Sequence, residues 1–456
     1  MQIVKEHFSI KFLWNPSSRR DPFFSNLLVS RSISEEICMS IAKKWVIFSY
    51  HANRNGVACS HHIDDRLPLL TKKGVKTTVM NAQYSGSIDG TKFVRIPDIC
   101  VASFRSGLRS LLRKATIPKW LERIIENVVL LPIYPFYKLE KMIFRIDEAW
   151  FWTLPALIAA YLLCRSNRPD IIYSTGGPIS AHIAARFLSR LMGLKWIAEF
   201  QDPLIHSYCA SGKLEFKLTT WAERVTCRDA HRVIFLTEEA RRICAARTCL
   251  GDHGMVIYPG ASPIRFLPVS YISGKSFTFS YTGSLVFPRK IEPFLCALDQ
   301  LINERPDIAR KIKLDIYGDI DEVNFHSITE FPFKNIISVK GRTSREDAIA
   351  AMSRSDALLV IQGEDPVSSE TIPSKSYEYF FASRPVLGIV YRCNELKDLL
   401  SELGHMHAEA DDVPEIKAKV HQLMARWETG QLEAPSAISR YTTEKAVMEL
   451  LSISAE

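Results

Sequence analysis

Two carboxylates in the second half of the chain stand at a spacing that suits an extended, hydroxyl-bearing ligand. Glu370 and Glu378 are eight residues apart with Pro373 between them, so they do not share one continuous helix. Glu370 is expected on the loop before a helix and Glu378 on that helix's second turn, one carboxylate toward each end of a bound ligand. Carboxylates accept hydrogen bonds from sugar hydroxyls. Two solvated acids, one on a loop and one on a helix, are the alternative.

The cations nearby are placed against the usual rule. A helix N-terminus carries about half a positive charge and prefers Asp or Glu in its first turn. Thr237-Glu238-Glu239 and the near capping box Ser344-Arg345-Glu346-Asp347 obey it. Two other segments do not. After Tyr281-Thr282-Gly283 comes Ser284 to Lys290, where Pro288 at the first helical position would set Arg289 and Lys290 in the first turn. In Thr371-Ile372-Pro373-Ser374-Lys375, Lys375 takes the first turn behind Pro373 or Ser374. An anion between such cations and the free N–H groups of the helix ends resolves the conflict, and a diphosphate is the ligand that fits. Exposed Lys and Arg side chains pointing into water are the alternative.

In the first half, 170–178 reads as strand, tight turn and helix, with Gly176 and Gly177 letting backbone approach a ligand. The run is not G-x-G-x-x-G, so a dinucleotide site is not supported. Asp202, in Phe200-Gln201-Asp202-Pro203, falls at the carboxyl end of a strand. Asn53-Arg54-Asn55-Gly56, after the first strand, reads as a ligand loop or a plain turn. Asp319-Ile320-Asp321 imitates a metal pair without a third ligand in view, and a solvated loop is its plainer reading. His61-His62 could reach a cleft, with ordinary surface histidines the alternative. No serine or cysteine nucleophile sits in a motif, and no Walker loop is present.

The elements that must position these residues follow from the pattern. At 456 residues, with 47% hydrophobic and 24% charged, the chain is globular and long enough for two or three domains. From residue 45, short β-rich runs alternate with helical ones, the signature of parallel sheets. The predicted strands are 45–49, 76–80, 92–96, 170–174, 195–200, 232–236 and 255–258, then 277–282, 313–317, 336–340, 356–361 and 385–389. A Pro/Gly/Ser-rich passage separates the two series. The expected division is an appendage over 1–44, a Rossmann-like domain over 45–262, a linker over 263–276, a second such domain over 277–436, and a C-terminal helix within 437–456 packing back on the first domain. Two doubly wound α/β domains place a ligand in the cleft outside the strands' carboxyl ends.

The ten cysteines form no CxxC pair and read as reduced thiols. No signal peptide is expected, and the longest apolar stretch, 149–164, contains Thr153 and Pro155 and is short of the ~20 residues a bilayer span needs. The net charge of +8 suits an anionic ligand or surface without deciding between them.

At these residues the sequence resembles the GT-B glycosyltransferases, within them the retaining, family 4-like group, over most of the chain from about Trp45. The most specific element is Glu370-(seven residues)-Glu378 followed by Tyr379-Phe380-Phe381-Ala382-Ser383-Arg384-Pro385-Val386-Leu387-Gly388. Tyr281 to Leu285 with Arg289 is similar to the first strand and loop of that group's donor domain, and 170–178 and 196–203 to acceptor-domain segments. The group's Arg after the glycine is Ser284 here, with Lys290 as its substitute, and of its N-terminal glycine loop only Gly56 stands.

The resemblance implies transfer of a hexosyl or N-acetylhexosaminyl group from a nucleotide sugar, with retention and without a bound metal or other cofactor. Glu370 and Asp202 would be catalytic. Gly283, Arg289, Lys290, Ser374, Lys375 and Glu378 would bind the donor, with Glu378 on the ribose and Arg289 and Lys375 on the diphosphate. Gly56, Gly176 and Gly177 would lie on the acceptor side. The implied partners are a nucleotide sugar and a glycan or lipid-linked acceptor of polysaccharide biosynthesis, with no nucleic acid. Between 101 and 145 nine bases face three acids, with Phe104, Leu108, Leu111, Leu112 and Trp120 among them, which suits an anionic membrane surface. A cytoplasmic protein, peripheral at the inner face of the plasma membrane, is the expected setting. A GT-B-fold sugar-nucleotide epimerase and a non-catalytic sugar-nucleotide-binding protein are the competing readings.

Overall fold

The computed structural model describes residues 44–54, 58–82, 86–98, 108–109, 112, 117–135, 149–205, 214–266, 274–433, 435 and 438–456. Gly56, the first forty-three residues, and Phe104, Arg105, Leu111 and Arg113 of the basic segment lie outside the described residues.

The first half builds a sheet from β1 (Lys44–Phe48), β2 (Lys76–Asn81), β3 (Thr91–Arg95), β4 (Ile171–Thr175), β5 (Lys195–Phe200), β6 (Arg232–Phe235) and β7 (Gly254–Val256). All neighbours are parallel in the order β3-β2-β1-β4-β5-β6-β7. Its helices are α1 (Ala58–Lys72), α2 (Lys119–Leu130), α3 (Thr153–Ser166), α4 (Ile179–Met192), α5 (Leu214–Asp229) and α6 (Glu238–Arg247). The central strands are buried on both faces, which is why their sequences are near-continuous apolar runs rather than alternating ones.

The second half repeats the plan with β8 (Phe277–Thr282), β9 (Ile312–Tyr317), β10 (Ile337–Gly341), β11 (Ala357–Ile361), β12 (Val386–Val390) and β13 (Met406–Glu409), parallel in the order β10-β9-β8-β11-β12-β13. Between and after them run α7 (Glu292–Glu304), α8 (Glu322–Glu330), α9 (Arg345–Arg354), α10 (Lys375–Tyr379), α11 (Asn394–Glu402), α12 (Val413–Glu428) and α13 (Thr443–Ala455). In each sheet the strand order reverses beside the first strand, at β1/β4 and at β8/β11. Ligands collect outside the carboxyl ends at such points.

All twelve predicted strands are present within two residues of their expected bounds; β13 is additional. The helix after Gly283 requires a correction. It begins at Glu292 with Ile291 as N-cap, not at Pro288, so Arg289 and Lys290 lie on the preceding loop and the first turn carries Glu292, as the helix dipole prefers.

The chain crosses back at its end. Ala261 N–H donates to Tyr441 O and Thr443 N–H to Ala261 O, both at 3.1 Å. Gly260 makes this crossing close, since a Cβ there would come within 2.5 Å of the Thr442 carbonyl carbon. Beyond it, α13 seats Ala446, Val447, Leu450, Leu451 and Ile453 against Ile63 and Leu67 of α1 and Trp45 and Ile47 of β1.

Candidate active site

The carboxyl ends of the two sheets face each other across a cavity of about 220 Å³. The first-half wall includes Cys59, His62, Gln201, Asp202, Thr237 and Arg247, and the second-half wall Arg289, Gly363, Ser368, Glu370, Thr371 and Ser374. Four of the expected site residues, Asp202, Arg289, Glu370 and Ser374, therefore line one cavity.

Buried Asn324 fixes the loop after β8. Its Oδ1 accepts from Ile291 N–H at 2.9 Å, and its Nδ2 donates to Arg289 O at 2.9 Å and Leu285 O at 3.3 Å. Asp321 caps α8 through Asn324 N–H at 2.9 Å and also accepts from Phe287 N–H at 2.7 Å, while Asp319 accepts from Arg342 Nε at 2.7 Å. The apparent metal pair is thus two structural carboxylates. Arg289 bridges to Gly363, and its Nε is buried without a partner among the described residues. Gly283 has φ +103°, a conformation glycine adopts without strain, and a Cβ there would face the Lys375 ammonium at 3.8 Å.

Lys375 stands over the ring of Tyr281, its Nζ 3.2 Å from the centroid. Burial, with the Arg289 charge beside it, pushes its pKa well below the ordinary lysine value. Neither Arg289 nor Lys375 has a carboxylate within salt-bridge distance among the described residues. Lys290 differs in pairing with Glu364 at 2.6 Å, and of the three cations only Arg289 is on the cavity wall.

Glu370 closes a short 3-10 turn, Pro366–Glu370, capped by Asp365. Thr237 Oγ1 donates to its carbonyl oxygen at 2.6 Å, while Glu370 Oε2 is buried without a partner among the described residues. Burial, with smaller contributions from Glu223 and Glu239, raises this carboxyl to about 7. Glu378 lies on α10, away from the cavity wall; its Oε1 accepts from Arg345 Nε at 2.9 Å and Nη2 at 2.6 Å.

On the first-half wall Asp202 is open to the cleft but ringed by protein. That burial raises its pKa, and the Arg289 charge partly opposes the rise. Behind it runs a buried chain: Arg66 pairs with Glu199, Thr175 Oγ1 donates to Glu199 Oε1 at 2.7 Å, and Gln201 Nε2 donates to Thr175 Oγ1 at 2.9 Å. Gly176, at φ +82°, donates its N–H to Glu199 O at 3.3 Å. Gly176 and Gly177 open the turn from β4 into α4 and are not part of the cavity wall.

His62, which the sequence marks as able to reach a cleft, is on the cavity wall, whereas sequence reasoning gave Asp65, Gln201, Thr237, Arg247 and Arg345 no site role. His62 Nε2 lies 3.0 Å from Ser374 Oγ. Arg247 makes a two-pronged pair with Glu223 at 2.8 and 2.7 Å. The one available signal was Arg345, a cation at the first position of a helix whose next two residues are acidic. Among the described residues no group of three or more His, Cys, Asp or Glu side chains converges as a metal site, and no helix is long and apolar enough to cross a membrane.

Residues 126–260 match the glycosyl transferase 4-like domain family. Sequence comparison with curated proteins gives no match. Among solved structures, sucrose-phosphate synthase from Thermosynechococcus elongatus is 11% identical and superimposes with a TM-score of 0.63, over 90% of this chain and 96% of that one. The Anabaena protein HepE in complex with UDP and glucose gives 11% identity and a TM-score of 0.62, over 90% and 98%. WaaG, a glycosyltransferase involved in lipopolysaccharide biosynthesis, gives 11% and 0.57, over 90% and 99%. The chain has the GT-B fold, and its residues 126–260 match the glycosyl transferase 4-like domain family.

Proposed function

We propose that the chain transfers a hexosyl or N-acetylhexosaminyl group from a nucleoside diphosphate sugar to an acceptor hydroxyl, with retention of configuration. The observation that carries this reading is Arg289 and Lys375, two neighbouring cations without a carboxylate partner among the described residues, Arg289 lining the same cavity as Glu370. Two cations packed together disfavour one another unless an anion joins them. A diphosphate supplies that anion.

In this reading the bond between the anomeric carbon and the phosphate oxygen breaks, and the nucleoside diphosphate departs with its charge held by Arg289 and Lys375. These side chains meet the charge, so transfer proceeds without a bound metal. The sugar passes through an oxocarbenium-like state. Glu370 holds its hydroxyls and Glu378 those of the ribose. The acceptor hydroxyl attacks on the face the phosphate leaves, forms the new carbon–oxygen bond and yields its proton to the departing phosphate oxygen. Asp202, across the cleft, orients that hydroxyl. Gly176 and Gly177, with Gly56, shape the acceptor side.

Ligand-observed NMR against UDP-, GDP-, ADP- and TDP-sugars tests donor binding, and UDP-glucose enters first because HepE is solved with it. Turnover of the donor that binds is then followed by the anomeric signals of the product. A retained anomer supports transfer, epimerised donor supports the isomerase reading, and binding without turnover supports a binding protein.

We further propose that the acceptor is a glycan or lipid-linked glycan met at an anionic membrane surface, with the protein cytoplasmic. In support, α2 exposes Trp120, Ile124 and Val128 at helical repeats, followed by Leu131, within a segment of nine bases and three acids. Arg109 of that segment pairs with Glu126 at 2.7 Å. Co-sedimentation with vesicles should require anionic lipid, fall with salt, and weaken in Trp120→Ala. Indifference to all three removes the membrane from the reading.

A further inference from the structure

Helix α1 belongs to the first sheet, yet one of its faces ends on residues of the second. His62 Nε2 lies 3.0 Å from Ser374 Oγ. Asp65, three positions on and so on the same face, grips Arg345: Oδ1 accepts from Nη1 at 3.0 Å and Oδ2 from Nη2 at 2.8 Å. The same guanidinium holds Glu378 through Oε1 only. Ser374 and Glu378 lie on either side of Lys375, so α1 reaches one end of the short segment that carries this cation directly and the other through Arg345.

The contact is electrostatically built. Arg345 is always charged and is held by one carboxylate from each half of the molecule. Asp65 also takes Arg265 at 2.6 Å, and its partners hold its carboxyl below the ordinary range although burial acts the other way. His62 is neutral, since burial and the neighbouring Arg66 push its pKa down to about 4 against the opposing charges of Glu199 and Asp65. A neutral imidazole that donates Nε2–H to Ser374 Oγ leaves the serine's own O–H free for a ligand anion.

We propose that α1 is the first half's contribution to the nucleotide site, with His62 orienting the Ser374 hydroxyl toward the diphosphate and Asp65 holding Arg345 so that Glu378 Oε2 stays open for the ribose. This rests on the donor reading above. Both are positioning residues. Among the described residues Glu378 Oε2 accepts no hydrogen bond, so a ribose hydroxyl reaches it without displacing Arg345. If Asp65 lets go, the guanidinium fork is free to close on both Glu378 oxygens, the geometry it favours, and the ribose loses its acceptor.

The test is calorimetric binding of UDP and uridine, or the matching pair for whichever base the wild type binds, to the full chain, with melting temperatures alongside. His62→Ala should weaken UDP roughly fivefold and leave uridine unchanged, and His62→Gln, whose amide can reach Ser374, should recover part of the loss. In a Ser374→Ala background His62→Ala should have no further effect. Asp65→Asn should weaken UDP and uridine by the same factor, and Arg345→Gln serves as the second route if Asp65→Asn fails to fold. Folded variants that bind both ligands like the wild type overturn the proposal and leave the donor reading standing. A wild type that binds no nucleotide overturns both.

Discussion

The ammonium of Lys375 sits 3.2 Å from the centre of the Tyr281 ring, and the ring stands where a carboxylate counter-ion would otherwise be expected. A π face attracts a cation without neutralising it. The charge therefore stays available to an incoming anion, and burial with Arg289 nearby makes the unliganded cation costly. Gly283 keeps the space above it free of a side chain.

Removing either cation should separate the phosphate from the nucleoside in binding. Lys375→Ala and Arg289→Ala are each expected to weaken UDP by about 1.5–3 kcal/mol, the range for hydrogen bonds to charged groups. Uridine should bind nearly as before, and the UDP loss should shrink as salt rises. Equal losses for both ligands by calorimetry would mean that the cations only support packing.

Glu370 should leave a signature in the pH dependence of stability. Burial raises its carboxyl from the ordinary 4.5 to about 7, so the folded state holds the proton more tightly than the unfolded one. That contribution is complete below about pH 4.5 and is lost as pH rises through 7. Glu370→Gln mimics the protonated form. It should melt near the wild type at pH 5 and above it at pH 8, while turnover of the donor falls. Equal melting differences at both values would show that the carboxyl titrates normally.

Twelve strands were legible, most plainly the central ones, which are buried on both faces and read as apolar runs between turn residues. β13 escaped because Met406-His407-Ala408-Glu409 has no β-branched residue and pairs only with β12, at the sheet's edge. The cavity residues Asp202, Arg289, Glu370 and Ser374 were legible from strand ends and charge placement. The cause assigned to Arg289 was wrong, because it lies on a loop held by Asn324 rather than in a helical turn. Contacts between the halves were not legible. His62 with Ser374, and Asp65 with Arg345, are joined over more than two hundred residues, and no local pattern encodes such a pair.

The Arg66–Glu199 pair should behave as a buried ion pair. Both side chains are essentially inaccessible, and Tyr173 Oη also accepts from Arg66 at 3.0 Å. Arg66→Met or Glu199→Gln alone strands the remaining partner and should cost about 3–5 kcal/mol in denaturant unfolding. Replacing both with apolar residues should recover most of that loss. Single variants within about 1 kcal/mol of wild type would show that water reaches the pair.

Asn324 should control donor affinity from outside the cavity. Its side chain is the shared partner of Ile291 N–H, Arg289 O and Leu285 O, so one buried amide sets the path of the loop that presents Arg289. In Asn324→Ala, Ile291 N–H and Arg289 O lose this partner, at about 1–3 kcal/mol for each one that stays buried, while Leu285 O keeps the Asp321 N–H at 3.2 Å. The loop is then free to relax toward water, and Arg289 moves with it. The expected result is a lower melting temperature together with weaker UDP binding, uridine binding being little changed. Asn324→Asp separates the two effects. Its carboxylate still accepts from Ile291 N–H but presents an oxygen to the Arg289 and Leu285 carbonyls, so the 285–289 side of the loop should loosen while the start of α7 holds. If UDP affinity stays at the wild-type value in both variants while stability falls, Arg289 is positioned by its bridge to Gly363 rather than by Asn324.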